Sequence, residues 1–392
     1  MEKNRAASMR ELFLLHPDVI FLNHGSFGAC PIPVFEYYQS WQRQLEYQPV
    51  LFLGRQLDSL LMESRTKLAE YLHTDTGNLV YIPNATHGVN IIARSLPLQL
   101  GEEILTSDQE YGACDYTWDF VCQKSGASYV HQPITLPVRS SEEILEQLWQ
   151  GVSSLTRVIY LSHITSPTAL RLPIEAICAR ARQVGILTVI DGAHAPGQIP
   201  LNLESIGADF YTGNCHKWML SPKGAAFLYA RPEVQSLVEP LVVSWGYRST
   251  PQTTSGSRFI DYLQWTGTKD PAACLAVPAA IQFQYENNWD QVRAACHDLL
   301  RTTIRRICTR FSLEPTVSLD SDLYHQMGIA PLPPNIDLAT LKTRLYDEFY
   351  VEVPLIDWNG QKFVRISVQG YNTQADVDAL CHGLFKLIET IS

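Results

Sequence analysis

The chain has 392 residues, of which 46% are apolar and 18% are charged. This composition indicates a folded globular protein, and a net charge of −10 with no dense basic run argues against nucleic acid as a partner. Because the first ten residues lack an apolar signal-peptide core and no stretch approaches the roughly 20 apolar residues of a membrane span, we expect a cytoplasmic protein that binds no membrane.

The first quarter of the chain predicts mostly helices. In chain order we expect an amphipathic segment at 11–15, a glycine-rich loop at 22–28, a helix opened by Pro31 and Pro33, a helix at 55–72, a strand at 79–82 and, after a turn at 83–85, a helix from residue 86.

The middle of the chain predicts alternating strands and helices. We expect strands at 157–161, 186–190, 209–212 and 225–230 and a helix at 173–184. The strand 186–190 is an almost continuous apolar run, which is typical of strands covered on both faces in a mostly parallel sheet. The sequence therefore predicts an α/β fold with helices on both faces of this sheet.

The pattern changes after about residue 275. We expect a long helical stretch at 277–311, a helix at 338–349, a strand at 363–368 and a final helix at 375–391. This order predicts a smaller C-terminal α+β domain. The predicted organisation is an N-terminal segment at 1–20 that packs on the small domain, a large domain at 21–270 and a small domain at 271–392.

Two motifs that follow apolar, strand-like runs contain candidate catalytic residues. Asp191 opens Asp-Gly-Ala-His-Ala, and Lys217 follows His216 twenty-six residues later. A lysine can form a Schiff base with the aldehyde of pyridoxal phosphate (PLP), and an aspartate can keep the pyridine nitrogen of this cofactor protonated. His194, three residues after the aspartate, lies in the same motif. Each residue alone is more often a cap, a surface lysine or a structural histidine, but the order and spacing favour a PLP site.

A third segment is suited to the phosphate of such a cofactor. The turn 84–88 leads from a strand into a helix, and the helix N-terminus offers free N–H groups and a positive dipole end. Thr86 can add a hydroxyl. The segment is neither a Walker loop nor Gly-x-Gly-x-x-Gly, which disfavours a nucleotide and a nicotinamide oxidoreductase.

With these motifs the chain resembles the class V aminotransferase group of fold-type I PLP enzymes over nearly its whole length. The segments 23–28 and 265–270 resemble the isopenicillin N epimerase-like branch of that group most. The resemblance implies catalytic roles for Lys217, Asp191 and His194. It further implies that the cofactor contacts Ala85, Thr86, Tyr111, Ser166, Asn214 and His216, and that Asn23 and Arg365 bind the substrate carboxylate. Gly267 and Thr268 match a loop that reaches the phosphate of a neighbouring subunit, which implies a homodimer.

The chain departs from this group at two places. Cysteine desulfurases carry a nucleophilic cysteine on a mobile loop before the carboxylate arginine, whereas residues 309–380 contain no cysteine. Where desulfurases have paired asparagines, either Thr165 or Ser166 takes their place. Nine scattered cysteines without a Cys-x-x-Cys pair argue against disulfides and structural zinc, and no metal site is expected.

These features leave the reaction open among several classes. An epimerase or racemase acting on an amino acid is favoured, a cysteine desulfhydrase or other C–S lyase is the second hypothesis, and a transaminase is the third. A non-enzymatic PLP-binding module is disfavoured because the lysine, aspartate and arginine are all present. An epimerase needs a second acid across the cofactor from Lys217, and the candidates are Tyr247, His24 and Tyr111.

Overall fold

The computed structural model describes residues 9–248 and 255–391. Residues 1–8 of the predicted N-terminal segment lie outside this part. The strands are β1 (Ile20–Phe21), β2 (Leu79–Ile82), β3 (Glu103–Ser107), β4 (Ser128–Gln132), β5 (Thr156–Ser162), β6 (Leu187–Asp191), β7 (Phe210–Asn214), β8 (Ala226–Ala230), β9 (Met327–Pro331), β10 (Val351–Glu352), β11 (Leu355–Trp358) and β12 (Gln361–Ser367). The α-helices are His24–Phe27, Ile32–Tyr47, Pro49–Leu51, Leu57–Leu72, Ala85–Ser95, Gly112–Ser125, Ser141–Trp149, Ile174–Gln183, Leu203–Ile206, Arg258–Gln264, Ala272–Leu275, Val277–Glu286, Trp289–Phe311, Leu338–Phe349 and Gln374–Ile391.

A seven-stranded sheet forms the centre of the fold, in the order β2-β8-β7-β6-β5-β3-β4. Neighbouring strands of this sheet are parallel, except that β8 pairs antiparallel with β2 and with β7. In β6, Val189 and Ile190 are both buried and belong to apolar clusters on opposite faces of the sheet. The predicted α/β fold with a mostly parallel sheet covered on both faces is therefore confirmed.

A second, three-stranded antiparallel sheet has the order β11-β12-β9 and lies in the C-terminal part of the chain. Its residues Ala330, Val364 and Ile366 belong to a separate apolar cluster that includes the helices Trp289–Phe311 and Gln374–Ile391, whereas Met327, Ile329 and Phe363 belong to a cluster of the large sheet. The N-terminal strand β1 pairs in parallel with β10, and Phe13 packs edge-on against the ring of Tyr371. The predicted small domain thus has its own core, while the exact domain limits stay predictions.

Several predicted elements were wrong or missing. The glycine-rich stretch 22–28, expected as a loop, contains the short helix His24–Phe27, and the long helix expected at 277–311 is broken before Trp289. The break occurs at Asn288, whose φ of 49° is left-handed and interrupts the helix. The sequence analysis also missed β3, β4 and the helices Gly112–Ser125 and Ser141–Trp149. The edge strand β4 is half exposed, so its residues lack the apolar signature of a buried strand.

In the described part of the chain, none of the helices combines the length and the apolar character that crossing a bilayer requires. The predicted cytoplasmic location stays a prediction.

Candidate active site

The site lies where parallel strands of the large sheet end. Asp191 is the last residue of β6, and it pairs with Ser162 at the end of β5 and with Thr212 in β7. Lys217 follows the end of β7 by three residues. Because the carboxyl ends of parallel strands lie at one edge of the sheet, the sequence motifs of both strands meet there.

Lys217 and His194 are in direct contact. Lys217 Nζ lies 3.3 Å from His194 Nε2. Burial lowers the pKa of Lys217 to about 8, although the nearby carboxylate of Asp191 opposes this shift. Burial also lowers the pKa of His194 well below its ordinary value, and the charges of Lys217 and Arg365 act in the same direction. The site therefore favours a neutral imidazole beside a lysine that readily loses its proton.

Asp191 is a buried carboxylate without a close cation. Its Oδ1 accepts the N–H of Ala193 at 2.8 Å, and its Oδ2 lies 3.7 Å from the thiol sulfur of Cys114. Burial raises the pKa of Asp191, while the N–H of Ala193 and the charge of Lys217 oppose that rise. Among the described residues no cation lies within ion-pair distance of Asp191. A protonated pyridine nitrogen is the kind of group that would compensate this buried charge.

The helix Ala85–Ser95 points its N-terminus at the same edge of the sheet. Asn84 caps it by accepting the N–H of His87 at 2.8 Å, and Asn214 Oδ1 accepts the N–H of Ala85 at 2.8 Å. Within the described residues, the N–H of Thr86 is left without a partner. Thr86 thus offers a backbone N–H and a hydroxyl at the positive end of the helix, which suits a phosphate.

Two predicted phosphate donors also have partners within the protein. Asn214 uses its carbonyl oxygen to hold the helix start, so only its amide nitrogen remains for a ligand. His216 Nδ1 donates to the carbonyl oxygen of Ala225 at 3.1 Å. Because burial lowers the pKa of His216 to about 4, its ring is neutral and Nε2 is an acceptor. Asn214 therefore retains one donor for a phosphate, whereas the neutral ring of His216 retains none, and their contacts with the cofactor stay predictions.

Arg365, in β12, brings a buried cation into the site. Its guanidinium donates to the carbonyl and hydroxyl oxygens of Ser166 and to Ser26 Oγ at 3.1 Å. Its Nε is buried without a partner in the described structure, and burial lowers the pKa of the group to about 10. No carboxylate of the described chain forms an ion pair with Arg365. A buried guanidinium in this state is suited to a bidentate contact with a ligand carboxylate.

Asn23 lies in a chain of hydrogen bonds that ends at this arginine. Ser26 Oγ donates to Asn23 Oδ1 at 2.5 Å, and Asn23 Nδ2 donates to Glu352 Oε1 at 3.1 Å. Asn23 therefore reaches Arg365 through Ser26. Its predicted contact with the substrate stays a prediction, and Ser26 is a site residue that the sequence analysis missed.

The structure distinguishes between Thr165 and Ser166. Thr165 Oγ1 is buried, lies 2.6 Å from Thr168 Oγ1 and accepts the N–H of Leu170. Ser166 instead contacts Arg365 through its carbonyl and its hydroxyl. Ser166 is thus the residue of the pair that lies against Arg365, and its predicted contact with the cofactor stays a prediction.

The candidates for a second acid differ in their surroundings. His24 is fully buried, its Nδ1 lies 3.0 Å from Tyr371 Oη and its Nε2 lies 3.1 Å from the carbonyl oxygen of Lys217. Burial lowers the pKa of His24 to about 3, so this ring is a neutral structural group rather than an acid. The hydrogen bonds and the burial disfavour His24 as the second acid, and the identity of that acid stays a prediction. Tyr111 and Tyr247 are each about half exposed and remain candidates.

The remaining predicted contacts depend on a second subunit. Gly267 and Thr268 follow the helix Arg258–Gln264, and Thr268 is exposed. Their role in completing a neighbouring site stays a prediction. No cluster of three or more potential metal-binding side chains occurs in 9–248 or 255–391.

PLP fits the residues brought together here. Asp191 offers a buried anion for the ring nitrogen, Thr86 offers free donors for the phosphate, and Lys217 offers an amine for the aldehyde. Gly192, next to Asp191, allows the ring of Tyr211 to pack against the backbone, because a Cβ there would lie 2.2 Å from that ring. The three groups match the three functional ends of the cofactor.

The family model for class V aminotransferases matches residues 34–319. Isopenicillin N epimerase of Amycolatopsis lactamdurans is 36% identical to the chain, and the alignment covers 97% of this chain and 98% of that protein. The putative L-cysteine desulfhydrase 1 of Oryza sativa subsp. japonica is 28% identical, with coverage of 98% and 86%.

Among solved structures, C-DES with glycine covalently linked to its PLP cofactor superimposes with a TM-score of 0.83 at 19% identity, covering 96% of this chain and 98% of that chain. This likeness shows that the two chains share the fold-type I architecture. The family model and the alignment with the epimerase each match most of the chain, so the family assignment rests on them. The protein belongs to the class V aminotransferase family of PLP-dependent enzymes.

Proposed function

We propose that this enzyme removes the Cα proton of an amino acid and adds a proton on the opposite face, as an epimerase does. The observation that carries the proposal is the presence, in one site, of a lysine with a lowered pKa and a buried arginine that has no carboxylate partner among the described residues. The first is suited to accept a proton, and the second to hold an α-carboxylate. The full-length likeness to an isopenicillin N epimerase supports the same reaction.

Each residue has a distinct task in this proposal. PLP, when bound, supplies an electron sink that weakens the Cα–H bond. Arg365 grips the substrate carboxylate and so fixes which bond faces the lysine. Lys217 Nζ takes the Cα proton, and Asp191 keeps the ring nitrogen of the cofactor protonated. His194 orients the lysine amine, and a tyrosine, Tyr111 or Tyr247, donates the new proton from the other face.

A C–S lyase is the second candidate, and the similarity to a plant desulfhydrase favours it. A lyase would need only the first proton transfer, followed by loss of the β-substituent. A persulfide-forming desulfurase is disfavoured because burial raises the pKa of the thiols, to about 12 for the partly exposed Cys30 and Cys274. Cys114 lies close to Asp191, but burial and this carboxylate hold its pKa above the ordinary range. A thiol in this state is a poor nucleophile.

One experiment separates these reactions. The holoenzyme is incubated in D2O with a panel of L-amino acids, and Cα exchange, D-isomer, pyruvate and keto acid are measured together. We expect exchange and D-isomer for at least one substrate, and no exchange for the corresponding amines, which lack the carboxylate that Arg365 binds. Pyruvate and free sulfide from L-cysteine without D-isomer would instead identify a lyase. A sulfur adduct on a cysteine of the protein would contradict both hypotheses.

We also propose that the protein is a homodimer whose sites are shared. The region before the 265–268 loop exposes large apolar side chains, among them Val243 at 65% and Trp245 at 84%, which favours a covered surface. Sedimentation equilibrium should give twice the chain mass of 44.2 kDa. A monomer that is fully active at assay concentration would contradict the shared site.

A further inference from the structure

Trp218 lies next to the reactive lysine and has no part in the mechanism above. Its side chain is fully buried, and its Nε1–H donates to His194 Nδ1 at 3.4 Å. The other nitrogen of the same imidazole, His194 Nε2, lies 3.3 Å from Lys217 Nζ. The indole, the imidazole and the amine therefore form a continuous row of three polar groups.

The indole determines which imidazole nitrogen carries the proton. An indole N–H can only donate a hydrogen bond, so His194 Nδ1 must accept. A neutral imidazole has one N–H, and it must then be on Nε2. We infer that Trp218 is a positioning residue that fixes the Nε2–H tautomer of His194 and thereby favours the uncharged form of the Lys217 amine. The inference deepens the proposed function, because it rests on Lys217 as the reacting amine.

The hydrogen bond between His194 Nε2 and Lys217 Nζ explains why this tautomer favours the uncharged amine. An Nε2–H group needs an acceptor, and a neutral amine has a lone pair whereas an ammonium group has none. In the charged state, Lys217 and His194 would present hydrogens to each other. The lowered pKa of Lys217, which results mainly from burial, agrees with this arrangement.

Among the described residues, the indole N–H donates to His194 and not to the other charged or titratable groups around Lys217. The carboxylate of Asp191 favours the ammonium form and the guanidinium of Arg365 disfavours it, while the thiol of Cys114 is uncharged because burial raises its pKa. His24 is neutral as well, since burial lowers its pKa to about 3. Of these four groups His24 packs against the indole, with ring centres 4.8 Å apart, but an uncharged ring adds no charge beside Lys217. The effect of a change at Trp218 on the protonation of Lys217 therefore reports the tautomer of His194.

The surroundings hold the indole in one position. A Cβ on Gly197 would lie 2.3 Å from the carbonyl group of Trp218, so the two backbones are in close contact. Gln284 Nε2 donates to the Trp218 carbonyl at 3.4 Å, and the His24 ring centre lies 4.8 Å from that of the indole. The donor therefore has little freedom to turn away from His194.

The test measures the pKa of Lys217 in the apoenzyme, which needs no turnover. Acetic anhydride reacts only with the neutral amine, so the labelling rate of Lys217 against pH, read by peptide mass spectrometry, gives its pKa. In Trp218→Phe the imidazole is free to place its proton on Nδ1 and to accept from the ammonium through Nε2. We expect the pKa of Lys217 to rise by about one unit, and labelling at pH 7 to fall about tenfold.

Two control variants make the result specific. Trp289→Phe removes a buried indole N–H that has no partner in the described structure, and it should leave the pKa of Lys217 unchanged. In a His194→Ala background, Trp218→Phe should have no further effect, because the imidazole transmits it. An unchanged pKa in the single variant, or an equal shift in both backgrounds, would overturn the inference.

A second measurement does not depend on whether Trp218→Phe folds. In the wild-type apoenzyme labelled with 15N-histidine, with His194 assigned by its loss in His194→Gln, Nδ1 should show the chemical shift of an unprotonated nitrogen. A protonated Nδ1 would overturn the tautomer assignment. Because neither measurement requires turnover, failure of the inference is distinguishable from failure of the proposed reaction.

Discussion

Replacing Lys217 with alanine should remove the covalent link to PLP and lower kcat by on the order of 10⁴-fold, the upper range for loss of a proton-transferring group. Lys217 is the amine that lies beside His194 at the strand edge, and its pKa of about 8 gives it a sizeable neutral fraction near neutral pH. The wild-type protein should absorb in the visible region typical of PLP bound to a lysine, and the variant should not.

The control for this prediction is another lysine of the same segment. Lys223 lies six residues further on, and its Nζ donates to the carbonyl of Gly28 at 2.9 Å. Lys223→Ala should retain the visible absorbance. After borohydride reduction, peptide mass spectrometry should find the phosphopyridoxyl group on Lys217 in both the wild type and this variant. Attachment at Lys223, or a colourless wild-type protein supplied with PLP, would contradict the assignment of the site.

Asp191→Asn should leave PLP binding largely intact and lower turnover by on the order of 10²-fold, because a neutral amide no longer stabilises a protonated ring nitrogen. The substitution is nearly isosteric, and its amide oxygen can still accept the N–H of Ala193. Burial raises the pKa of Asp191, so at neutral pH the carboxylate costs the apoprotein stability, and that cost disappears only as pH falls and the group is protonated. The variant apoprotein should therefore have an unchanged or higher Tm at pH 7.

A buried aspartate at the other end of the same strands provides the matched control. Asp209 precedes β7, accepts the N–H of Thr188 at 2.8 Å and forms an ion pair with Arg231. Asp209→Asn should lower Tm, because it weakens this ion pair, but should leave kcat per bound PLP close to wild type. Near-native turnover in Asp191→Asn would show that Asp191 is not the partner of the pyridine nitrogen.

The sequence was most informative where the fold itself brings distant segments together. Asp191 and Lys217 each follow an apolar strand, and a parallel sheet places such strand ends at one edge. The helix start at Ala85 was predictable for the same reason. Arg365 lies in a different sheet, so local pattern did not connect it to this edge, and only the family resemblance assigned it to the site.

Other parts of the site have no local sequence signal. Trp218 has the apolar character of a core residue, and its donor role depends on the orientation of a ring that follows the neighbouring strand. Ser26 occurs in a glycine-rich stretch that was expected to be a loop, and its contact with Arg365 joins residues 339 positions apart. A lysine at the end of a strand does indicate that other side chains control its protonation, but the sequence analysis did not consider Trp218 for that role.

The contacts of His24 have a consequence for how the enzyme is made. One ring nitrogen of His24 meets the carbonyl of Lys217, 193 positions along the chain, and the other meets Tyr371, 347 positions along. Both partners must be synthesised before this early segment can take its final place. Because domains fold during synthesis in N-terminal order, the large sheet can begin to form before Tyr371 has been added to the chain, whereas the segment that carries His24 cannot take its final place until then. This segment therefore reaches its final position late, although it is synthesised first.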